Sequence, residues 1–286
     1  MRDFRIIRYP IDIISVLLVL CALSIQLSSL IYKWPWYTLI PILFLVRGVD
    51  LVEHNHAHLT VFRSGGLNSL LGWMCHLSNG VPLDVYRIHH VANHHRYNNK
   101  FTTSGKDWSS IFGFRGAHFP NMPIGKSYYV ASFPFIAICE CSLWFLRAPK
   151  SRATRGFIVS MFVTGVTCGL LVWLNLLGFL IFFLIPWLVV AFGMGSNNYD
   201  QHEGCNVTDS YDSANNYLSF FYTVLSFNVG YHLEHHLKPN LHWSLLPHFH
   251  RAIKRIRSAG DYLRPRQTTR SRAASSGGRL WNNSSF

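Results

Sequence analysis

Residues Asn228–Pro247 read NVGYHLEHHLKPNLHWSLLP. Three histidines, His232, His235 and His236, fall within five residues, and His242 follows soon after. On a helix, positions i, i+3 and i+4 lie on one face, so this spacing predicts three imidazoles directed at one point. Neutral imidazole is a common ligand of Zn, Fe, Cu and Ni. The stretch therefore predicts a metal site.

Two earlier clusters repeat this pattern. The first holds His54, His56 and His58, and the second reads IHHVANHHR over Ile88–Arg96. On a helix, His54 would share a face with His58 and His90 with His94, with His95 beside the latter pair. Either cluster alone could be a polar helix end. However, 16 histidines outnumber 13 acidic residues, and a solvated basic surface would use Lys and Arg, so the distribution favours ligation.

The composition is typical of a membrane protein with basic loops. Hydrophobic residues make up 49% of the 286 residues, and the formal net charge is +13, with a positive mean hydropathy of +0.16. The apolar residues occur in long runs, and the basic residues lie beside them without a nucleic-acid-binding motif, which argues against a nucleic-acid partner. Six cysteines form no CxxC pair, so reduced thiols are expected.

We expect an all-α membrane protein in which residues 1–263 form one domain. Four runs have the length and apolar character of transmembrane helices, and two further segments are mixed in character. The predicted spans are residues 11–31, 36–52, 157–175 and 178–195. Segments 65–86 and 128–146 are expected at the membrane interface. Residues 264–286 lack periodicity and predict a basic disordered tail.

Counting membrane crossings decides whether residues 128–146 span the membrane or lie at its interface. If all histidine clusters share one metal site, the number of crossings between the second cluster and His202 must be even. Residues 157–175 and 178–195 satisfy this, and a crossing by 128–146 would break it. Eleven Lys and Arg residues lie between residues 53 and 156, so the positive-inside rule puts this segment, both termini and the clusters in a cytoplasmic helical cap. We expect the inner membrane of a bacterium.

The number of possible ligands indicates two metal ions. Nine histidines, with Asn198 as a tenth candidate, are too many for one ion and suit a pair. The candidate metal ligands are His54, His58, His90, His94, His95, Asn198, His202, His232, His235 and His236. Spacing alone does not distinguish redox chemistry on an apolar chain from two-metal hydrolysis.

The three boxes His54-x3-His58, His90-x3-His94-His95 and His232-x2-His235-His236 resemble those of the membrane fatty acid desaturase superfamily. This superfamily includes hydroxylases, acetylenases and carotenoid ketolases. The Asn198-Tyr-Asp-Gln-His202 stretch is similar to its additional Asn and His ligands. The resemblance covers roughly residues 35–250. It implies a non-haem di-iron site, O2 as co-substrate and an external electron donor, either a ferredoxin or a cytochrome b5-like protein, for which the basic face would suit an acidic partner.

The sequence departs from the family pattern in two places. Asn55 stands where the family often has Asp, and the second box has three residues rather than two before its histidine pair. Either His89 or His90 could be the first ligand there, and i, i+4 geometry favours His90. Asp50 and Asp107 could orient ligand imidazoles through the second ring nitrogen, or be ordinary helix-end and loop carboxylates. The remaining histidines are expected to support the site or lie at the surface: His56, His76, His118, His242, His248 and His250.

The function expected from the resemblance is O2-dependent desaturation of an acyl chain carried by a lipid, coenzyme A or acyl-carrier protein. A hydroxylase, acetylenase or ketolase acting on an alkyl chain, sterol or carotenoid is the alternative on the same scaffold. Metal-dependent hydrolysis of a lipid is a third possibility. A metal carrier is disfavoured, because carriers place polar ligands at mid-membrane, whereas here the histidines lie at the ends of the predicted spans.

Overall fold

The computed structural model describes residues 6–103, 105–113 and 122–259, with side chains described up to residue 255. The chain divides into two compact units, Met1–His250 and Arg251–Phe286. The first unit is mostly helical, and the part of the second that is described, residues 251–259, is helical throughout. The predicted tail from residue 264 and His118 lie outside the described residues.

Eleven α-helices are found among the described residues. They are α1 (Ile13–Ile31), α2 (Leu39–His58), α3 (Gly65–Asn79), α4 (Leu83–Tyr86), α5 (His95–Tyr97), α6 (Lys126–Arg147), α7 (Arg152–Phe179), α8 (Ile185–His202), α9 (Phe220–Leu225), α10 (His232–Leu237) and α11 (Leu246–Ala259). Short 3-10 turns occupy Pro10–Asp12, Trp36–Thr38 and Trp243–Leu245, and π-helical segments occupy Arg87–His94 and Leu180–Leu184. A two-residue antiparallel pair joins β1 (Phe101–Thr102) to β2 (Gly105–Lys106).

Helices α7 and α8 form one apolar stretch interrupted at a single residue. Helical structure runs from Arg152 to His202, 51 residues, which at 1.5 Å per residue would measure about 77 Å, more than twice the hydrocarbon thickness of a bilayer. Asn175 breaks the stretch with non-helical angles, φ −161° and ψ 91°. Its Nδ2 donates to the carbonyl of Leu30 at 2.8 Å, and its Oδ1 accepts from the amide of Gly178 at 3.0 Å. The break lies at the connection expected between residues 175 and 177.

Three described helical stretches are long and apolar enough to cross a membrane: Pro10–Ile31, Lys126–Arg147 and Arg152–His202. The first and third contain three of the predicted spans. Helix α2, which covers residues 39–52 of the predicted span 36–52, carries Arg47, Asp50 and Glu53 and is not one of the three. Helix α6 is one of the three by length and composition, although the even number of crossings required by a shared metal site predicts that it lies at the interface. The number of crossings and the position of α6 therefore stay predictions.

Buried polar contacts tie the apolar helices together. Gln26 of α1 donates from Nε2 to the carbonyls of Ser78 and Phe182, at 3.0 and 2.9 Å. Its Oε1 accepts from the hydroxyl of Ser78 at 2.6 Å. Each of these groups is buried with a partner, so the network stabilises the packing of α1 against α3 and the π-helical segment that precedes α8.

A second contact holds the chain after α10 against the start of α1. Asp12 is buried, and its carboxylate accepts from Trp243 Nε1 at 2.9 Å and lies 3.1 Å from His242 Nε2. The His242 ring stacks on Tyr9 at a centroid distance of 3.9 Å. His242 is therefore a structural residue in this unit, as expected of a histidine outside the ligand set, and it fixes the segment next to the third box.

Candidate metal centre

The structure brings eight of the nine predicted histidine ligands into two adjoining groups of four, and it places His95 beside the first group. The first group consists of His54, His58, His90 and His235, whose ligand atoms all lie within 4.8 Å of one another. His54 Nε2 is 2.8 Å from His90 Nε2. His95 adjoins this group, with its Nε2 at 3.2 Å from His90 Nε2 and 3.0 Å from His235 Nε2. Residues from α2, the Arg87–His94 π-helix, α5 and α10 thus converge at one place.

The second group consists of His94, His202, His232 and His236, which meet within the same 4.8 Å limit. His94 Nε2 is 3.2 Å from His202 Nε2 and 3.3 Å from His236 Nε2. His232 Nε2 is 3.3 Å from His202 Nε2 and 3.1 Å from His236 Nε2. The end of α8 therefore supplies His202 to a site otherwise built from the second and third boxes.

The third box is divided between the groups, which corrects the prediction that its three imidazoles meet at one point. His232 and His236 are one helical turn apart on α10 and belong to the second group. His235 points to the first group, and its ring centroid is 6.1 Å from that of His236. Because α10 lies between the groups, its two faces serve different sites. The spacing i, i+3, i+4 is compatible with this outcome because positions i and i+3 diverge by about 60° around a helix of 3.6 residues per turn.

The second box is also divided, and a π-helix is the reason. Residues Arg87–His94 form i→i+5 hydrogen bonds, so His90 is paired with His95 rather than with His94. His90 and His94, which were expected to share one face of an α-helix, therefore belong to different groups. A π-helix holds one extra residue per turn, which accommodates the additional residue before the histidine pair of this box. π-helical turns of this kind occur frequently at functional sites.

His90 lies in the first histidine group, and His89 does not. The His89 ring is buried and packs against Trp108 and Phe133, at centroid distances of 6.2 and 5.5 Å. It lies outside both histidine groups of the described residues. The choice of His90 over His89 as a metal ligand stays a prediction, and the structure positions His90 on a π-helix rather than on the α-helix assumed.

The donor set fits metal ions. Two nitrogen ligands about 2.1 Å from one ion are roughly 3.0 Å apart at a right angle and 3.4 Å apart at a tetrahedral angle. Six of the Nε2–Nε2 distances, from 3.0 to 3.3 Å, are in this range, and the His54–His90 distance of 2.8 Å is slightly shorter. Both ring nitrogens of His58 are buried and have no hydrogen-bond partner among the described residues. Buried polar groups without partners are costly, so an ion bound by one of these two nitrogens would account for that nitrogen.

Burial also keeps the imidazoles in the state that binds metal. Burial lowers the pKa of His54 to about 3. Burial, and after it the neighbouring imidazoles, hold the pKa values of His58, His90 and His235 well below the ordinary range. These histidines are therefore neutral at physiological pH, and their nitrogen lone pairs are free to coordinate. All the ligand atoms are nitrogen, which suits Fe, Zn, Cu or Ni.

Asp107 orients one imidazole. Its Oδ2 lies 2.8 Å from His94 Nδ1, and the hydroxyl of Ser109 lies 2.9 Å from the same nitrogen. Burial acts to raise the pKa of Asp107, but the facing His94 and hydrogen bonds from His94, Ser109 and the Asn99 amide lower it well below its usual value. The carboxylate is therefore ionised and fixes Nδ1–H on His94, which directs Nε2 to the second group. Ser109 is a supporting residue that the sequence analysis missed.

Asp50 contacts other residues. Its carboxylate pairs with Arg47 and accepts a hydrogen bond from the Tyr86 hydroxyl at 3.2 Å. Tyr86 in turn packs near His54 and His90, with ring centroids at 5.9 and 5.8 Å. Asp50 therefore contacts no imidazole directly in the structure. Its buried carboxylate pairs with Arg47 instead. His202 is held instead by the backbone, with Nδ1 at 2.9 Å from the carbonyl oxygen of Ser213.

Asn198 is oriented by two acceptors. Its Nδ2 donates to the carbonyl of Ser109 at 2.9 Å and to the hydroxyl of Tyr129 at 2.6 Å. The amide carbonyl oxygen therefore lies on the opposite edge of the side chain from these partners. Asn198 is one turn before His202 on α8 and lines the same cavity as His90 and His232. Tyr129 and Ser109 were not identified from the sequence, because their role depends on contacts between distant segments.

The other histidines have structural partners. His56 Nε2 is 3.2 Å from the Asn68 carbonyl oxygen, and its Nδ1 accepts from the Val61 amide. His76 Nδ1 lies 2.8 Å from the Ser160 hydroxyl and 3.0 Å from that of Thr164. His250 Nδ1 lies 2.7 Å from Glu234 Oε1. These contacts agree with their exclusion from the ligand set.

A cavity of about 550 Å³ adjoins both histidine groups. His54 and His90 of the first group and His232 of the second line one part of it. Apolar side chains from α6, α7 and α8 line much of the rest, among them Phe133, Phe145, Met161, Cys168 and Trp187. This volume is in the usual range for a small-molecule site, and the lining suits an apolar ligand.

These features define a helical protein with apolar helices of membrane-spanning length and a histidine-rich centre able to hold metal next to an apolar cavity. A model of the fatty acid desaturase family matches residues 28–269. The chain belongs to the fatty acid desaturase family, whose members are oxidoreductases, as the histidine boxes indicated.

Curated relatives are similar over most of this chain. The sn-1 oleoyl-lipid 12-desaturase of Picosynechococcus sp. is 25% identical, covering 89% of this chain and 79% of that protein. The chloroplastic omega-6 fatty acid desaturase of Arabidopsis thaliana is 21% identical, covering 74% of this chain and 52% of that protein. The sphingolipid delta(4)-desaturase of Drosophila melanogaster is 24% identical, covering 78% of this chain and 68% of that protein. The chain thus spans about half the length of the chloroplast relative.

Proposed function

We propose that this protein catalyses O2-dependent desaturation of an acyl chain at a pair of iron ions held by the two histidine groups. The observation that carries the proposal is the convergence of two four-histidine groups beside an apolar cavity. All three curated relatives described above are named as desaturases of lipids or fatty acids, which supports this chemistry over lipid hydrolysis.

The proposed ligands divide between the two sites. His54, His58, His90, His95 and His235 would hold one ion, and His94, His202, His232 and His236 the other, with the amide oxygen of Asn198 as a further ligand of the second. When bound, the iron pair would use O2, with two electrons and two protons from outside, to remove two hydrogens from the substrate and release two waters. Nine imidazoles and one amide give a neutral ligand set, which distinguishes this site from carboxylate-rich di-iron sites.

The side chains of the chain itself provide position and exclude water. Asp107 and Ser109 fix the Nδ1 side of His94, and Ser213 fixes that of His202. Phe133, Met161 and Trp187 give the cavity an apolar wall, so an acyl chain can pack against the site while water is kept out. The substrate carbon that lies nearest His54, His90 and His232 would be the one that reacts.

Product analysis tests the proposed reaction. The protein should be expressed in a host of known lipid composition, and its fatty acids compared by mass spectrometry with those of a host expressing His235→Ala. Loss of two hydrogens from a lipid with the wild-type protein supports desaturation. Gain of one oxygen would instead assign hydroxylation on the same site, and release of free fatty acid without O2 consumption would contradict an oxygen-dependent reaction.

We further propose an acidic one-electron carrier, a ferredoxin or a cytochrome b5-like protein, as the donor. The support is the net charge of +13 and the eleven basic residues between residues 53 and 156. Complementary charges speed association and weaken with salt. Turnover with either reduced donor should therefore fall as NaCl is raised, at fixed substrate. A rate independent of ionic strength would argue against this docking mode.

The proposed topology has four crossings, with the metal centre and both termini in the cytoplasm and α6 at the interface. In a variant whose native cysteines are replaced by serine, Lys150→Cys distinguishes the possibilities, because it lies between α6 and α7. A membrane-impermeant thiol reagent applied to intact cells should label Lys33→Cys but leave Lys150→Cys unlabelled until the cells are opened. Labelling of both in intact cells would show that α6 crosses.

A further inference from the structure

In the loop before the third box, apolar side chains are exposed to the surface and a polar side chain is buried. It comprises residues 217–231, named here the aromatic loop, and it contains no charged residue. Within it, Phe220, Phe221, Val224 and Leu225 of α9 are 72%, 76%, 60% and 72% exposed. Thr223 is buried, and its hydroxyl donates to the carbonyls of Ser219 and Phe220. A helix that turns its apolar side chains outward and its hydroxyl inward is unsuited to water.

Contacts with two long helices fix where this apolar face lies. The Tyr217 hydroxyl donates to the backbone carbonyl of Asp200 at 2.9 Å, which fastens the loop to the last turn of α8. Phe227 and Val229 of the loop pack in a buried hydrophobic cluster that includes Val49 of α2. Val49 precedes His54 by five residues, or about 8 Å along the helix. The aromatic loop therefore lies beside the part of α2 that precedes His54 and beside the last turn of α8, on the side of the histidine groups that faces the proposed membrane.

The loop has a defined shape. Phe227 and Asn228 both have left-handed backbone conformations, with φ of 50° and 60°, which are uncommon for residues other than glycine. The Asn228 amide donates to the Thr223 carbonyl at 2.9 Å, and the Tyr217 amide donates to the Gly230 carbonyl at 2.8 Å. Phe227 packs edge-on against Trp243 at 5.3 Å. These contacts hold α9 outward, so its exposure follows from the fold.

We propose that the outward face of α9 inserts into the lipid bilayer at the interface, as a membrane-binding surface separate from the spanning helices. Lipid is favoured over a protein partner because the face has neither charges nor hydrogen-bonding side chains with which to select one, and because the loop packs against α2, a helix proposed to span the membrane. Tyr217, Tyr222 and Tyr231 flank it, as tyrosine does at membrane interfaces. Val229 of the same loop lines the cavity, so this surface brings lipid close to the cavity wall.

Photocrosslinking tests this surface without depending on enzyme activity, so its failure and that of the proposed reaction are distinguishable. Phe221 is replaced by the photoreactive analogue benzoylphenylalanine, and the purified full chain is reconstituted in vesicles of dioleoylphosphatidylcholine and illuminated. The matched control carries the analogue at Tyr211, an aromatic residue that is 53% exposed in the preceding polar loop. Mass spectrometry of the peptides measures the phospholipid adduct at each position.

We expect several-fold more phospholipid adduct at position 221 than at position 211. The same replacement at Leu225 gives a second, independent reading and should agree with that at 221. An adduct yield at 221 no higher than at 211 would overturn the proposal, because the face of α9 would then contact lipid no more than a polar loop does. Crosslinks between two protein chains at 221 would also overturn it, since the face would then be covered by a second copy.

Discussion

Replacement of Asp107 by asparagine tests how the protein orients a proposed metal ligand. The Asp107 carboxylate accepts four hydrogen bonds: Oδ2 from His94 Nδ1 at 2.8 Å and from the Asn99 amide at 2.6 Å, and Oδ1 from the Ser109 amide at 2.8 Å and hydroxyl at 2.7 Å. Asparagine has one acceptor oxygen, so its NH2 group must face a backbone N–H in either orientation. Leaving one such buried donor unpaired costs about 1–3 kcal/mol of folding free energy.

The effect on metal should exceed that on folding. Loss of a group that orients a metal-binding histidine typically costs about 10–100-fold in metal affinity or activity. We therefore expect Asp107→Asn to insert into the membrane, melt at a lower temperature and lose iron about 10–100-fold more readily to a chelator. The assay is iron per chain by elemental mass spectrometry after graded EDTA treatment.

The matched control for this experiment is Asp209→Asn. Asp209 accepts from the Tyr211 amide in an exposed turn, and asparagine supports the same turn, so iron retention should equal that of the wild type. If Asp107→Asn retained iron as well as the control across the EDTA series, the proposed role of the Asp107–His94 contact would be refuted.

Three further predictions follow from the same contacts. His235→Ala should abolish turnover and lower iron content while the protein still inserts into the membrane, and an active enzyme would remove His235 from the ligand set. Asn198→Ala should reduce turnover less than His235→Ala, because an amide oxygen is a weak ligand; an equal loss in both would contradict this ranking. Burial lowers the pKa of His76 to about 4 from 6.5, so the unfolded state binds more protons between these values and stability is lost as pH falls from about 6.5 towards 4, by up to about 1.4 kcal/mol per pH unit. His76→Gln should have a shallower pH dependence of melting temperature in detergent, and an unchanged slope would refute this assignment.

The sequence was sufficient to predict which histidines come together. Clusters at residues 54–58, 90–95 and 232–236, with His202 after an apolar run, form both groups among the described residues. The reason is physical: buried imidazoles in this excess need metal or hydrogen-bonding partners, and their periodicity limits the surfaces from which they can point.

The sequence was insufficient to predict how the histidines divide between the groups. His90 pairs with His95 because the segment is π-helical, and no local pattern distinguished that geometry from an α-helix. His235 separates from His236 because α10 lies between the two groups, which is a consequence of tertiary packing. Two other arrangements were also not predictable. Asp50 could have contacted several neighbours and pairs with Arg47 and Tyr86, and the contacts of Ser109 and Tyr129 join segments distant in sequence.

For two helices, different features of the sequence lead to different conclusions about whether the helix crosses the membrane. Residues 36–52 are predicted to span the membrane, and the helix that covers most of them, Leu39–His58, is apolar up to Arg47. Lys126–Arg147 has the length and composition of a crossing helix, whereas the parity of the histidine clusters predicts that it lies along the interface. Composition indicates only whether insertion is affordable in free energy, whereas the requirement for an even number of crossings assumes a shared metal site. The labelling of Lys150→Cys decides whether α6 crosses.

The central claim is that two ions are bound, one in each histidine group. X-ray diffraction from the iron-loaded protein at the iron absorption edge locates the ions by their anomalous scattering. The account predicts two peaks per chain, one among His54, His58, His90 and His235 and the other among His94, His202, His232 and His236. A single peak, or iron bound away from these imidazoles, would contradict it.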